Sequence, residues 1–160
     1  MGLVSESQEI SRLVELDPAL LEQLAAYGSE SLADAALDEW MLPVVARFGF
    51  LFVTRVAGEI AGSAQIIRCL EEGDLYMDIF YIRPAFRGRG YGSRFLAGIL
   101  EQLPRERFLR LLVTVDPRNS RGMSLFEAAG FSEVDRLDDY YGYGRHRLLM
   151  AASLIEAGSA

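Results

Sequence analysis

Lysine is absent from the sequence: all sixteen basic residues are arginine. Schiff-base chemistry on a side-chain amine is therefore excluded, and so is a phosphate loop of the GxxxxGK[ST] type. The one cysteine, Cys69, allows no disulfide framework and no cysteine metal cluster. The one histidine, His146, cannot build a zinc site alone, so no metal is expected. A cytoplasmic setting is the default expectation for such cysteine usage. Apolar runs all fall short of a membrane span, and the opening MGLVSESQEI lacks the basic-then-apolar order of a signal peptide, so no membrane partner is expected. Internal repeats and low-complexity segments are also missing, and only the final EAGSA reads as a frayed tail.

Acidic residues number 23 against the 16 arginines, a net charge of -7. A general nucleic-acid binder needs a basic face to displace phosphate counterions, so no nucleic-acid partner is expected. The balance suits a cationic or amine-bearing substrate and equally suits plain solubility. With 160 residues and 51% hydrophobic content, the chain is expected to form a single domain, 1–160, with a true core.

Hydrophobic periodicity and turn residues give the element order. Glu9 to Leu16 reads as a first strand. DPALLEQLAAYG reads as a helix capped by Asp17, with Pro18 in its first turn and Gly28 as its stop. A second helix is expected from about Leu32 to Phe48, with Leu37, Trp40, Met41, Val44 and Val45 on one side and Pro43 as a bend or break. Strands follow at Phe50 to Val56 and Glu59 to Ile67, around a tight turn at Ala57-Gly58, and then at Leu75 to Ile82. Tyr91, Phe95, Leu96, Ile99, Leu100 and Leu103 make one helical stripe. Leu109 to Val115 reads as a strand covered on both faces. Gly122, Leu125, Phe126 and Ala129 mark a short helix that stops at Gly130, and strands at Ser132 to Leu137 and Arg145 to Met150 flank the loop DDYYGYG. This order predicts an α+β, or mixed α/β, fold whose central helix crosses between neighbouring parallel strands.

The stretch YIRPAFRGRGYGSRF, Tyr81 to Phe95, sits between a strand and a helix. Glycines at 88, 90 and 92 leave backbone N–H groups unobstructed at a helix N-terminus, where the macrodipole adds about half a positive charge. A phosphate or pyrophosphate is the natural guest, with Arg87 and Arg89 adding formal charge; a turn rich in glycine for steric reasons is the plainer alternative. The dinucleotide fingerprint GxGxxG fits poorly, although Asp116 could serve as its ribose acid. Its third glycine falls on Ser93, and the glycines begin six residues past the strand.

A second scheme is the pyrophosphate site of coenzyme A. Arg87, Gly90 and Gly92, preceded by Ile82-Arg83-Pro84, resemble the acyl-CoA signature [RQ]xxGx[GA] of the GNAT superfamily of N-acetyltransferases. NSRGMSLFEAAGF resembles that family's second motif, NxxAxxLYxxxGF, through Asn119, Leu125, Gly130 and Phe131, with Gly122 at the alanine position. The closing DDYYGYGRHRLLM resembles the last hairpin of members that acetylate protein N-termini, such as the bacterial ribosomal-protein alanine acetyltransferases.

The resemblance implies a central mixed, mostly antiparallel sheet with a splayed parallel strand pair, flanked by about four helices. It implies acetyl-CoA as co-substrate and direct acetyl transfer to a primary amine, on a small molecule or a peptide N-terminus. Backbone near Phe80, Tyr81 and Ile82 would pair with the pantetheine arm, and the amides of Arg87, Gly88, Arg89, Gly90, Tyr91, Gly92 and Ser93 would receive the pyrophosphate. Asn119 would meet the pantetheine or a water beside it, and can cap the following helix at the same time. Phe126 lies with the cofactor-binding residues but takes the place of a tyrosine that protonates the thiolate, and it has no proton to give.

Either solvent protonates the thiolate and no acid is needed, or another tyrosine substitutes: Tyr141, from the set Tyr140, Tyr141 and Tyr143, is then the candidate acid, with lining of the acceptor pocket as its alternative role. Asp78 is the candidate base, or else an exposed strand carboxylate, and it shares a strand face with Tyr76. Asp138 and Asp139 could draw a protonated amine, while His146 reads as structural, with a remote role as base as its alternative, and Cys69 as uninvolved. The last strands could pair across a homodimer. Phe126 also motivates an alternative function: a non-catalytic acyl-CoA sensor or interaction module on the same fold.

Overall fold

The computed structural model describes residues 6–33 and 39–155. Leu37 and the EAGSA tail lie outside them. The elements run β1 (Gln8–Leu13), α1 (Pro18–Leu32), α2 (Met41–Phe48), β2 (Phe50–Val56), β3 (Glu59–Arg68), β4 (Asp74–Ile82), α3 (Tyr91–Gln102), β5 (Arg110–Val115), α4 (Ser120–Ala128), β6 (Ser132–Leu137) and β7 (Arg147–Ser153). The strands form a seven-stranded sheet in the order β1-β2-β3-β4-β5-β7-β6, mostly antiparallel, with β4 and β5 parallel. This is the expected mixed α/β architecture.

Two compact units divide the chain, one drawn from Met1–Ile67 and Ile79–Ile99, the other from Arg68–Asp78 and Leu100–Ala160. In the first unit, Asp17 caps α1 as expected, its side chain accepting from the Leu20 amide at 2.8 Å. Gly28 does not stop the helix. It is buried within it, and a further turn is held from outside: Arg83 donates to Glu30 at 3.2 Å, and Arg87 donates to the Ser31 carbonyl at 3.2 Å. Long-range hydrogen bonds supply here what a local stop signal cannot reveal.

The second helix begins at Met41, which puts Pro43 in its first turn, where no intrahelical N–H is needed. Its buried residues are Leu42, Val45 and Ala46, whereas Trp40 (78% exposed), Met41 and Val44 face outward. Of the stripe expected there, only Val45 among the described residues is inside. MLPVVARF is apolar almost all round, so two overlapping stripes satisfy the same period, and packing selects between them. The selected face joins Leu24, Leu51, Val53 and Ile60 in one core cluster. Each such fully buried aliphatic side chain is worth about 1.5–3 kcal/mol relative to exposure.

The turn between β2 and β3 places Ala57 and Gly58 at φ 49° and 83°, both left-handed, as a two-residue hairpin turn requires. Near the start of β3, the Arg83 amide donates to the Ala61 carbonyl at 2.8 Å, aligning the end of β4. Gly62 lies so close to the Tyr81 carbonyl that a side chain there would run into backbone.

In the second unit, β5 carries Leu111, Leu112, Val113 and Val115 buried, the two-sided burial that its run implied. It pairs along its full length with β7, Arg110↔Ser153 through Val115↔Leu148. Its parallel partner β4 is matched over only three residues, Asp74↔Arg110, Leu75↔Leu111 and Tyr76↔Leu112. Arg110 grips Asp74 with two hydrogen bonds, 2.8 and 2.9 Å, which fixes the closed end of this short ladder. β7 starts at Arg147 rather than Arg145. Residues 145 and 146 belong to the preceding loop, where the Arg145 amide donates to Gly142 and its carbonyl accepts from Tyr141.

Gly62→Ala is expected to lower stability by about 1–3 kcal/mol through forced separation of β3 from Tyr81. Denaturant unfolding checks this; an unchanged midpoint would show that the two strands are not held in such close approach.

Candidate active site

The first unit contains the glycine segment. After β4 the chain makes one 3₁₀ turn, Pro84–Phe86, then Gly88 and Gly90 adopt φ of 78° and 81° before α3 begins at Tyr91. Left-handed residues at alternate positions turn successive N–H groups toward one concave side, the geometry of an anion nest. Among the described residues, the amides of Gly88 to Ser93 reach no hydrogen-bond acceptor, while the Arg94 amide already bonds the Gly90 carbonyl at 3.2 Å. These are the orphan donors of a helix start, and they sit at its positive end.

The arginines of the segment serve mainly to hold this loop. Arg87 donates to the Ile82 carbonyl at 2.8 Å as well as to Ser31. Arg89 donates to the Ala85 carbonyl at 3.3 Å and stands 3.8 Å from Glu6. Arg94 donates to Gln8 at 2.8 Å and to the Arg89 carbonyl at 3.2 Å. Tyr91 is buried against Phe86, its hydroxyl donating to Glu6 at 3.0 Å. The side chains fix the loop, and the amides remain as its open donors.

Along the second half of β4, Phe80 stacks on Phe95 of α3, with ring centroids 5.4 Å apart. Tyr81 is 3% exposed, and its hydroxyl has no hydrogen-bond partner among the described residues. Burial pushes that phenol well above its ordinary range, and the nearby Ser63 hydroxyl only partly opposes the shift. Phe80, Tyr81, Ile82 and the segment from Arg87 to Ser93 are thus brought together on one strand–turn–helix element.

The second unit holds the remaining candidates. Asn119 caps α4, its side-chain oxygen accepting from the Gly122 amide at 2.9 Å, so the capping role weighed from sequence is realised. Phe126 is buried edge-to-face against Phe131 at 5.2 Å. Asp78 is exposed on β4, two residues past the last pair of the parallel ladder.

In the loop between β6 and β7, His146 Nδ1 accepts from the Asp139 amide at 3.1 Å, and the Asp139 carboxylate accepts from the Gly144 amide at 2.7 Å. Asp138 pairs with Arg136 at 2.9 Å. Histidine and acidic pair are therefore engaged in shaping this loop. Tyr143 is 99% exposed; Tyr140 and Tyr141 are half-exposed and meet edge-to-face at 4.9 Å. Arg147 lies over the Tyr141 ring at 4.8 Å and 3.7 Å from Asp116. Hydrogen bonds from Arg118 hold the Asp116 carboxyl down at about 2.

One pair escaped the reading from sequence. The Tyr76 hydroxyl and Thr114 Oγ1 are 2.8 Å apart. Both are polar residues inside apolar strands, LYMDIFYI and RLLVTV, which was the available signal. Burial first, with Tyr141 beside it, pushes the Tyr76 phenol far up, against a lowering by Thr114. Cys69 also stays protonated: burial and the Asp74 carboxylate raise its thiol, a poor setting for a thiolate nucleophile. No group of residues suited to a metal occurs among the described residues, and no helix among them is long and apolar enough to cross a membrane.

A strand, a 3₁₀ turn and left-handed glycines leading into α3 sit within an α+β fold. The sequence model of the acetyltransferase (GNAT) family matches residues 14–131, well over half of the chain, and the protein belongs to that family. No curated protein matches by sequence. Among solved structures, the ribosomal-protein-S18-alanine N-acetyltransferase of Escherichia coli superimposes with a TM-score of 0.77 at 19% identity, covering 96% of this chain and 97% of that one. An aminoglycoside 6'-acetyltransferase of type Ii gives a TM-score of 0.80 at 14% identity, covering 93% and 99%. YncA from Salmonella typhimurium, solved with its cofactor acetyl-CoA, gives 0.73 at 17% identity, covering 95% and 96%. These likenesses are likenesses of fold.

Gly88→Ala should cost about 1–2 kcal/mol from the left-handed backbone alone, because its Cβ would meet no atom within 4 Å. Equilibrium unfolding measures it; a neutral substitution would mean that the nest does not hold its left-handed form.

Proposed function

We propose that the protein is an acetyl-CoA-dependent N-acetyltransferase that passes acetyl directly from the CoA thioester to a primary amine. The observation that carries this reading is the row of amides from Gly88 to Ser93, which have no acceptor among the described residues. A pyrophosphate carries the charge and the several acceptor oxygens that such a row satisfies. Backbone at Phe80 and Tyr81 would take the pantetheine arm; at Ile82 one side of the carbonyl is already used by Arg87. Asn119 spends its oxygen on the helix cap, leaving its amide N–H₂ to donate to a ligand.

For transfer, the amine must lose a proton before it attacks the thioester carbon. Asp78, exposed on β4, is the proposed acceptor of that proton. A peptide N-terminus is the favoured amine. One of the proteins that resemble this chain in fold is by its name a ribosomal-protein-S18-alanine N-acetyltransferase, and Tyr140 and Tyr141 offer half-exposed rings for a peptide to lie on. Small amines remain the second acceptor class. A non-catalytic acyl-CoA sensor is the alternative reading, favoured by Phe126 at the position of the expected acid.

Acetyl-CoA at a hundredfold excess over its Kd should stabilise the protein by about 2.7 kcal/mol, seen as a rise in Tm. CoA release, followed as free thiol, should accompany an alanine-starting peptide or a small primary amine. Binding without release across such acceptors would favour the sensor, and no stabilisation at millimolar acetyl-CoA would remove both readings.

A further inference from the structure

Breaking a thioester with an amine leaves one group unassigned. As the C–N bond forms and the C–S bond breaks, an electron pair departs with sulfur, and the thiolate gains from a proton. Phe126 cannot supply it. Tyr143 is too exposed to be held in place, and Tyr140 and Tyr141 are half in solvent.

Tyr76 stands differently. It is the last residue of β4 paired with β5, opposite Leu112. Past that point Val113, Thr114 and Val115 keep their partners on β7 and have no parallel partner among the described pairings. An interior strand edge with unmatched N–H and C=O groups accepts an extended, amide-bearing chain as an added strand. At the head of this edge the Tyr76 hydroxyl reaches Thr114 Oγ1 at 2.8 Å, bridging the two strands just where their ladder ends. Tyr141 lies beside it, itself pinned by Arg147.

We infer that Tyr76 is the proton donor to the departing thiolate, held in position by Thr114 and supplied with its replacement proton from solvent through Tyr141. The inference rests on the acetyl-transfer reading and assigns its missing group. In the step, nitrogen bonds to the acetyl carbon, the carbon–sulfur pair goes to sulfur, and the Tyr76 proton follows it. The tyrosinate then takes a proton from Tyr141, which takes one from water, while the proton lost by the amine leaves through Asp78. Burial keeps Tyr76 protonated throughout the working pH range. The same loss of water raises the basicity of a thiolate formed beside it, so transfer does not require an acidic phenol. Thr114 is a positioning residue, because it acts on sulfur only through Tyr76.

The test uses the full chain with acetyl-CoA, an alanine-starting hexapeptide, and acceptor-free acetyl-CoA hydrolysis in parallel. CoA release and CoA affinity by calorimetry are measured for Tyr76→Phe, Thr114→Val and Thr114→Ser. Tyr76→Phe should lower kcat by about a hundredfold with KM for acetyl-CoA and CoA affinity little changed. Thr114→Val should lower kcat by about tenfold, and Thr114→Ser, which keeps the hydroxyl, should restore most of it. Tyr76→Phe with kcat within about threefold of wild type would overturn the inference, as would a loss confined to KM or shared equally by Thr114→Ser. No CoA release by the wild-type protein under either condition would overturn the acetyl-transfer reading itself, and this inference with it.

Discussion

A row of backbone N–H groups, Gly88 to Ser93, with no acceptor among the described residues is the constraint on which the first unit turns. Every helix starts with such groups, and most chains cover them with a capping side chain or leave them to water. Here the cap position is surrendered to Gly90, and Gly88 and Gly90 hold left-handed backbone that any side chain would strain. Five hydrogen bonds from Arg87, Arg89 and Arg94 run to carbonyls and to Gln8, keeping the loop in that form. Positive charge stays nearby while the arginine side chains are committed to structure. An anion meeting this loop would be recognised mainly by backbone donors, whose directions are fixed by φ and ψ rather than by flexible rotamers.

The second unit turns on a different economy of hydrogen bonds. Three residue pairs join β4 to β5, with Asp74 and Arg110 locking one end through a bidentate contact and the Tyr76–Thr114 hydroxyl pair marking the other. Parallel pairing that stops after three residues leaves Val113 to Val115 with partners on one side only among the described pairings. β7 provides that support along six residue pairs, so the strand keeps its shape without the partner it lacks. A sheet can thus carry an unmatched edge in its interior without losing the strand that bears it.

Features governed by neighbours in the chain were legible in the sequence. Asp17 and Asn119 cap as their spacing implied, the Ala57-Gly58 turn falls where the strands require it, and β2 and β6 have the expected bounds. Features governed by distant partners were not. Gly28 failed as a stop because Arg83 and Arg87, more than fifty residues away, hold the next turn of α1. The α2 stripe was ambiguous because nearly every residue in it is apolar. Arg87 read as a source of charge and of one amide in the row; its guanidinium bonds the Ile82 and Ser31 carbonyls, and its amide bonds the Pro84 carbonyl at 3.3 Å, so the open amides start at Gly88. Thr114 had no local signal beyond its polarity; its meaning comes from a residue 38 positions earlier.

The central claim, that the amides opening α3 receive the pyrophosphate of CoA, is tested most directly by their own resonances. Amide ¹H–¹⁵N spectra would be recorded for the protein alone, with CoA, and with pantetheine, which lacks the phosphates. The Gly88 to Ser93 amides should move strongly to lower field with CoA and little with pantetheine. CoA binding that leaves those six resonances in place would contradict it.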